Sequence, residues 1–219
     1  MFETELYKQE NRELSYIIDF PDGFDNRKKY PVLFYFHGMG MVRNGIQNVI
    51  DCVPVRRERM ADDMPFIIVA PYCENFTWIE CFETLTAFVD YIINKDYADK
   101  NRIYITGSSM GGYTCWALSV MFPEKFAAGV ICCGGGMYFA ADRIKFPVWA
   151  FHGQLDTVVL PRESEIMAEK INATGGSAKL TLVDDCGHGV WHIAFKSKDT
   201  YYWLLSKSKN ICEDEKSRE

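Results

Sequence analysis

The chain has no run of about 18 or more consecutive apolar residues, so its sequence offers no membrane-spanning helix. Its opening, Met1-Phe2-Glu3-Thr4-Glu5, has acids where an export signal carries basic residues followed by an apolar core. A cationic surplus is missing too: 24 Lys and Arg against 30 Asp and Glu leave a formal net charge of −6, which argues against a nucleic-acid surface. Arg56-Arg57 with Arg59 is the only compact basic group, and Glu58 interrupts it, so it reads as a solvated helix face. Eight cysteines are scattered at 52, 73, 81, 115, 132, 133, 186 and 212, several within apolar runs, which suits buried free thiols better than a disulfide framework. No repeat, linker or low-complexity stretch divides the 219 residues. What remains is a soluble protein, expected in the cytoplasm, whose 48% hydrophobic and 15% aromatic content can fill one core, hence a single domain over 1–219.

What is present alternates. Phe2 to Lys8 and Leu14 to Phe20, joined by a turn at Gln9 to Arg12, alternate polar and apolar residues as an antiparallel hairpin does. Six short apolar or β-branched runs follow: Pro31–Phe36, Phe66–Ala70, Arg102–Thr106, Ala128–Cys133, Val148–Phe151 and Lys179–Val183. Continuous hydrophobicity of this kind belongs to strands covered on both faces. Helical stretches between them make parallel βαβ units and an α/β class. One helix follows the capping-box pair Thr77 and Glu80, with Ile79, Phe82, Leu85, Val89 and Ile92 as a core-packing stripe. Another follows Pro161 through Ile166, Met167 and Ile171 to Gly175-Gly176. A last runs from Trp191 to Leu205, before a charged tail, Glu213 to Glu219, expected to fray.

The chemistry is concentrated in Gly107-Ser108-Ser109-Met110-Gly111. This GxSxG stands between the β-forming Tyr104, Ile105 and Thr106 and a helical run through Tyr113, Trp116, Ala117, Val120 and Met121 that Pro123 stops. In that context small flanking residues permit a sharp turn that lifts the central hydroxyl above the sheet. Ser109 is the candidate nucleophile and Ser108 a filler. The Met110 amide, at a helix N-terminus, points where an oxyanion would form.

A serine hydroxyl needs a base, and imidazole suits best. Of the four histidines, His37 and His152 each end a strand and read as structural or loop-ordering. His188 lies in Asp185-Cys186-Gly187-His188-Gly189, a loop after the last strand, and is the candidate base. His192 four residues on suggests a metal pair, but Gly189 interrupts the helix and no third ligand is evident, so no metal is expected. Asp156, following the strand Val148–Phe151, completes the order Ser, Asp, His; Asp142, Glu163, Asp184 and Asp185 are its rivals. The short interval from Gly134-Gly135-Gly136 to Pro147 leaves no room for a helical cap, and the glycine run lets a loop pass close to the site. Tyr72, Trp78, Met137, Tyr138 and Trp191 lie in or beside loops that could form an apolar pocket, with Trp78, Met137 and Trp191 as the substrate-binding candidates.

These segments resemble the α/β-hydrolase superfamily over roughly residues 14 to 205. The likeness is to compact bacterial esterases and peptidases related to feruloyl esterases, dienelactone hydrolases and prolyl oligopeptidase catalytic domains. It rests on Phe36-His37-Gly38-Met39-Gly40, on Gly107 to Tyr113, on Val148 to Gly153 with Asp156, and on Gly187-His188-Gly189-Val190-Trp191. The resemblance implies an eight-stranded, mostly parallel sheet with helices on both faces and no large cap. It assigns Ser109, Asp156 and His188 as a triad, with Met110 and Met39, or the neighbouring Gly40, as backbone oxyanion donors. Related loops often carry an acid soon after the first His-Gly; here Met41, Val42 and Arg43 follow. The expected activity is a carboxylesterase working on small soluble esters through an acyl-enzyme, without a cofactor, the alternative being a serine peptidase or aminoacyl hydrolase. A binding protein on the same scaffold is the remaining rival, and the sequence leaves the oligomeric state open.

Overall fold

The computed structural model describes residues 3–42, 45–60 and 64–209; Phe2, Arg43, Cys212 and the 213–219 tail fall outside the described residues. All eight expected strands form: β1 (Glu3–Gln9), β2 (Arg12–Asp19), β3 (Tyr30–Phe36), β4 (Ile67–Pro71), β5 (Ala98–Ser108), β6 (Ala128–Cys132), β7 (Val148–Gly153) and β8 (Ala178–Val183). They make one sheet in the order β1-β2-β4-β3-β5-β6-β7-β8. β2 runs antiparallel to β1 and β4, and every pairing from β4 to β8 is parallel. β5 is longer than its apolar run because Ala98 pairs with Tyr30 at one end and Ser108 with Cys132 at the other.

Side chains along each strand alternate between two cores, as the two-residue period of a pleated strand requires. Val32, Phe34 and Phe36 of β3 join Ile103 and Ile105 of β5 on one face, while Leu33, Tyr35 and Tyr104 face the other. The first core is closed by α2 (Phe82–Ile93), α3 (Met110–Met121) and α4 (Arg162–Ala173), through Phe88, Trp116 and Met167 among others. The second is closed by α1 (Ile46–Cys52), α5 (Trp191–Ala194) and α6 (Lys198–Leu205), through Val49, Ala194 and Leu204. Among the described residues no helix is long and apolar enough to cross a membrane.

Three expectations need correction. The continuous last helix is two, because Thr200 and Tyr201 donate their hydroxyls to the Ala194 and Phe195 carbonyls at 2.7 and 2.9 Å, occupying acceptors that a continuing helix would use. The arginines near 57 are not a solvated helix face. Arg56 donates to the Ile50, Asp51 and Val53 carbonyls, Arg59 to Pro54, and Arg57 binds the buried Asp19 carboxylate at 2.9 Å and the Phe66 carbonyl at 2.9 Å. The stripe after Thr77 is not wholly core. Glu80 accepts from the Thr77 amide and hydroxyl at 3.1 and 3.2 Å, but this box closes a turn, and α2 begins only at Phe82. Ile79 is left 82% exposed.

The chain passes from β3 to β4 on one side and then to β5 on the other, so the carboxyl ends of β3 and β5 flank a crevice at the reversal of strand order. Open α/β sheets place their sites in such crevices. Phe36 pairs with Gly107 there, which sets the loop after His37 beside the turn at Ser109.

Candidate active site

Ser109 sits at φ 56°, ψ −119°, a left-handed conformation uncommon for a residue with a side chain. The neighbouring glycines make the turn possible. A Cβ at Gly107 would lie 2.5 Å from the Gly111 carbonyl oxygen, one at Gly111 only 1.8 Å from the Phe36 oxygen, and one at Gly112 2.6 Å from the Cys132 oxygen. The start of α3 therefore rests directly on the sheet. The Ser109 amide donates to the Cys132 carbonyl at 3.0 Å, and Ser108 turns away to a buried hydrogen bond with the Tyr35 hydroxyl at 2.8 Å.

The Ser109 hydroxyl lies 2.8 Å from His188 Nε2, and His188 Nδ1 lies 2.7 Å from Asp156 Oδ2. The other carboxylate oxygen accepts the Val158 and Val159 amides at 2.8 and 3.0 Å. Burial alone would raise the Asp156 carboxyl, but the His188 hydrogen bond and these two amides outweigh it and hold it below the usual carboxylate range. Asp142, Asp184 and Asp185 are exposed at the surface, and Glu163 lines the neighbouring cleft.

Neither the Met110 nor the Met39 amide donates to a protein acceptor among the described residues. Gly38 brings the second loop close: a Cβ there would come within 3.3 Å of the Ser109 Cβ. His37 is fully buried, with Nδ1 2.8 Å from the Gly38 carbonyl oxygen, while Nε2 accepts the Cys73 amide at 3.0 Å. Burial depresses its pKa to about 4, so the ring is neutral and both nitrogens hold loops in place. His152 is equally buried, between the Ser164 hydroxyl at 2.7 Å and the Val159 carbonyl at 2.9 Å.

His192 is exposed beside Trp191 and joins no set of three ligating side chains. The one such set among the described residues is Cys133, Asp156 and His188. Burial pushes the Cys133 thiol up to about 12.

A cleft of about 860 Å³ opens over Ser109. Trp78, Met137 and Trp191 line it, along with Met39. Trp78 is also a structural piece, its indole donating to the His37 carbonyl at 3.0 Å. Trp191 packs edge-on to the His188 ring with centroids 5.5 Å apart. Tyr72 and Tyr138 are not in the lining: Tyr72 donates to the Val42 carbonyl at 2.8 Å, and Tyr138 packs on Phe139. The sequence reading missed Ile79, Phe82, Tyr113, Val158 and Val159 in the walls, and did not place Glu163 there. Ile79 and Phe82 were hidden in a helical periodicity that begins before the helix does. Gly134, Gly135 and Gly136 do allow the close passage expected of them, against Gly112, Glu163 and Trp116 respectively.

Residues 78–135 match the model of the Prolyl oligopeptidase family. The chain is 30% identical over 168 residues to a probable feruloyl esterase C of Aspergillus terreus, an alignment covering 74% of this chain and 62% of that protein. It is 25% identical over 202 residues to feruloyl esterase C of Emericella nidulans, covering 82% and 74% respectively. Among solved structures it is similar to a thermostable esterase, with a TM-score of 0.82 and 29% identity, over 95% of this chain and 63% of that one. The chain thus spans a little under two thirds of the Aspergillus terreus protein and of the thermostable esterase. The sheet order and the likeness to the thermostable esterase show an α/β-hydrolase fold, and the proteins named here that the chain is similar to are esterases.

Proposed function

We propose that this chain is a serine hydrolase, a carboxylesterase acting as a single catalytic domain on small esters through an acyl-enzyme. The observation that carries this reading is the unbroken relay from the Ser109 hydroxyl to His188 at 2.8 Å and on to Asp156 at 2.7 Å, opening into a cleft large enough for a small ester. In this reading Ser109 Oγ bonds to the ester carbonyl carbon as its proton passes to His188 Nε2. Asp156 holds Nδ1–H and stabilises the imidazolium. The carbonyl oxygen takes the negative charge and receives the Met110 and Met39 amides. Collapse breaks the bond to the alcohol, which leaves with the proton from Nε2. Water then repeats the sequence and releases the acid. The chain's own groups supply each step, and no cofactor enters. Trp78, Met137 and Trp191 form part of the binding wall. The scattered cysteines suit a cytoplasmic location.

The relatives named as feruloyl esterases support an ester substrate, and the matched peptidase family model supports the second reading, a peptidase or aminoacyl hydrolase with the same three residues. A panel of short aryl esters and matched peptide amides separates the two: turnover of the amides alone would overturn the esterase assignment. A fluorophosphonate probe should label Ser109, and Ser109→Ala should lose the label and about three or more orders of magnitude of turnover while folding normally. A wild-type protein that takes no label would favour a binding role.

A further inference from the structure

Apart from the His188 imidazole, the cleft over Ser109 is lined almost wholly by apolar and uncharged side chains, with one carboxylate among them, Glu163, and no Lys or Arg among the described residues. That carboxylate is not engaged elsewhere. In the same helical turn Glu165 has Arg162, which also holds Glu169, whereas Glu163 has no hydrogen-bond or ion-pair partner among the described residues. Room is made for it by the absence of a side chain opposite: a Cβ at Gly135 would lie 2.1 Å from Glu163 Oε2 and 3.0 Å from Tyr113 Cε1. Carboxylate and ring therefore meet at one wall, and Tyr113 follows Ser109 by one turn of α3, its amide donating to the Ser109 carbonyl at 3.0 Å.

The wall is also fixed in place. The Glu163 amide donates to the Leu160 carbonyl at 2.9 Å, and the next residue, Ser164, is buried against His152 at 2.7 Å and the Gly134 carbonyl at 3.1 Å. The field of the Glu163 carboxylate reaches Tyr113, whose phenol is raised by burial first and by that charge next. A charge half-withdrawn from water among apolar side chains costs free energy until a partner pairs with it. An ammonium group supplies that partner as a charge-assisted hydrogen bond, and the rings of Tyr113 and Trp191 add a favourable surface for a cation.

We propose that Glu163 makes the cleft selective for esters bearing a cationic amine, receiving the ammonium beside Tyr113 while Ser109 meets the carbonyl. This rests on the serine hydrolase reading above. The test compares kcat/KM for aryl esters of 6-aminohexanoate, of its neutral alkyl isostere and of a dicarboxylic half-ester, which probes the acyl side. Aminoethyl acetate against its neutral isostere probes the alcohol side. The wild type should prefer the ammonium ester by about tenfold or more in one series, disfavour the half-ester, and lose the preference in Glu163→Gln. No ammonium preference in either series, or one that survives in Glu163→Gln, overturns the proposal. A binding arm needs no turnover: Ser109→Ala protein titrated with hexylammonium should bind it more tightly than 1-hexanol, and the double variant with Glu163→Gln should not. Equal binding of the two ligands overturns the proposal whatever the esters show. Absence of all ester turnover with hexylammonium still preferred would reject the hydrolase reading and leave Glu163 as the ammonium site.

Discussion

Gly111→Ala should damage the protein in a way that follows from one distance. The added Cβ would lie 1.8 Å from the Phe36 carbonyl oxygen and 2.9 Å from that of His37, both backbone atoms at the end of β3 that cannot rotate aside. Relief requires α3 and β3 to separate by more than an ångström at this point. Overpacking of this kind costs about 1–3 kcal/mol, and contact with backbone on the sheet side puts this case at about 3 kcal/mol or more. The same displacement carries Ser109 away from His188 and costs roughly a hundredfold in turnover. Urea unfolding followed by tryptophan fluorescence, with kcat/KM on a short aryl ester, measures both. Gly40→Ala is the control: its Cβ meets nothing within 4 Å, so its stability should hold or rise by up to about 1 kcal/mol. A Gly111→Ala protein with the wild-type unfolding midpoint would refute the claim that α3 rests directly on the sheet.

Three further outcomes are expected. His37 has a folded pKa near 4, below its unfolded value of about 6.5, so the stability it contributes is present above that unfolded value and is lost as pH falls toward 4, by about 3 kcal/mol; the slope of stability against pH over this window should be shallower in His37→Asn, and an unchanged slope would reject a neutral His37. Arg57→Ala removes the guanidinium that binds Asp19, whose side chain is 4% exposed, at 2.9 Å, and should cost about 3 kcal/mol or more in chemical denaturation; a loss under about 0.5 kcal/mol would put Arg57 among ordinary surface residues. Cys73 and Cys81 have Sγ atoms 3.9 Å apart, so diamide, taking up the two thiol hydrogens, should join them; peptide mass mapping should find the cross-link in the wild type and not in Cys81→Ser, and its absence in the wild type would mean the loop between them does not let the sulfurs close.

Much of the fold could be read from local pattern because each strand is short, apolar and bounded by polar or glycine-rich turns. The β-formers at 104–106 and the helical spacing from Tyr113 fix the turn around Ser109 without any distant contact. What local pattern could not resolve was decided by groups far apart in sequence. Arg57 is read as solvated until Asp19 and the carbonyl of Phe66 are seen to surround it. The last helix keeps its periodicity across Phe195 to Ser197 and is broken by hydroxyls bonding backward to its carbonyls. At Ile79 and Phe82 a stripe of helical spacing begins before the true helix start, and both side chains line the cleft. A hydrophobic residue in that pattern carries no mark that distinguishes packing from pocket.

The histidines show the same limit within the site. His37 and His188 follow strands and His152 stands near the end of β7, all at the carboxyl edge of the sheet, and residue type does not separate them. Their partners do. His37 is enclosed by the Gly38 carbonyl and the Cys73 amide, and His152 by Ser164 and the Val159 carbonyl, so neither ring has a nitrogen free for the cleft. His188 alone spans from a buried carboxylate to a hydroxyl in the cleft wall. The buried rings still bear on that geometry. His152 Nε2 stands 3.3 Å from Asp156 Oδ2, the oxygen that faces His188, while Oδ1 is held by two amides, so the carboxylate is fixed on every side. Through Ser164 the same imidazole anchors the start of α4, where Glu163 enters the cleft. One buried side chain thus links the group that orients the proposed base to the group proposed to select the substrate.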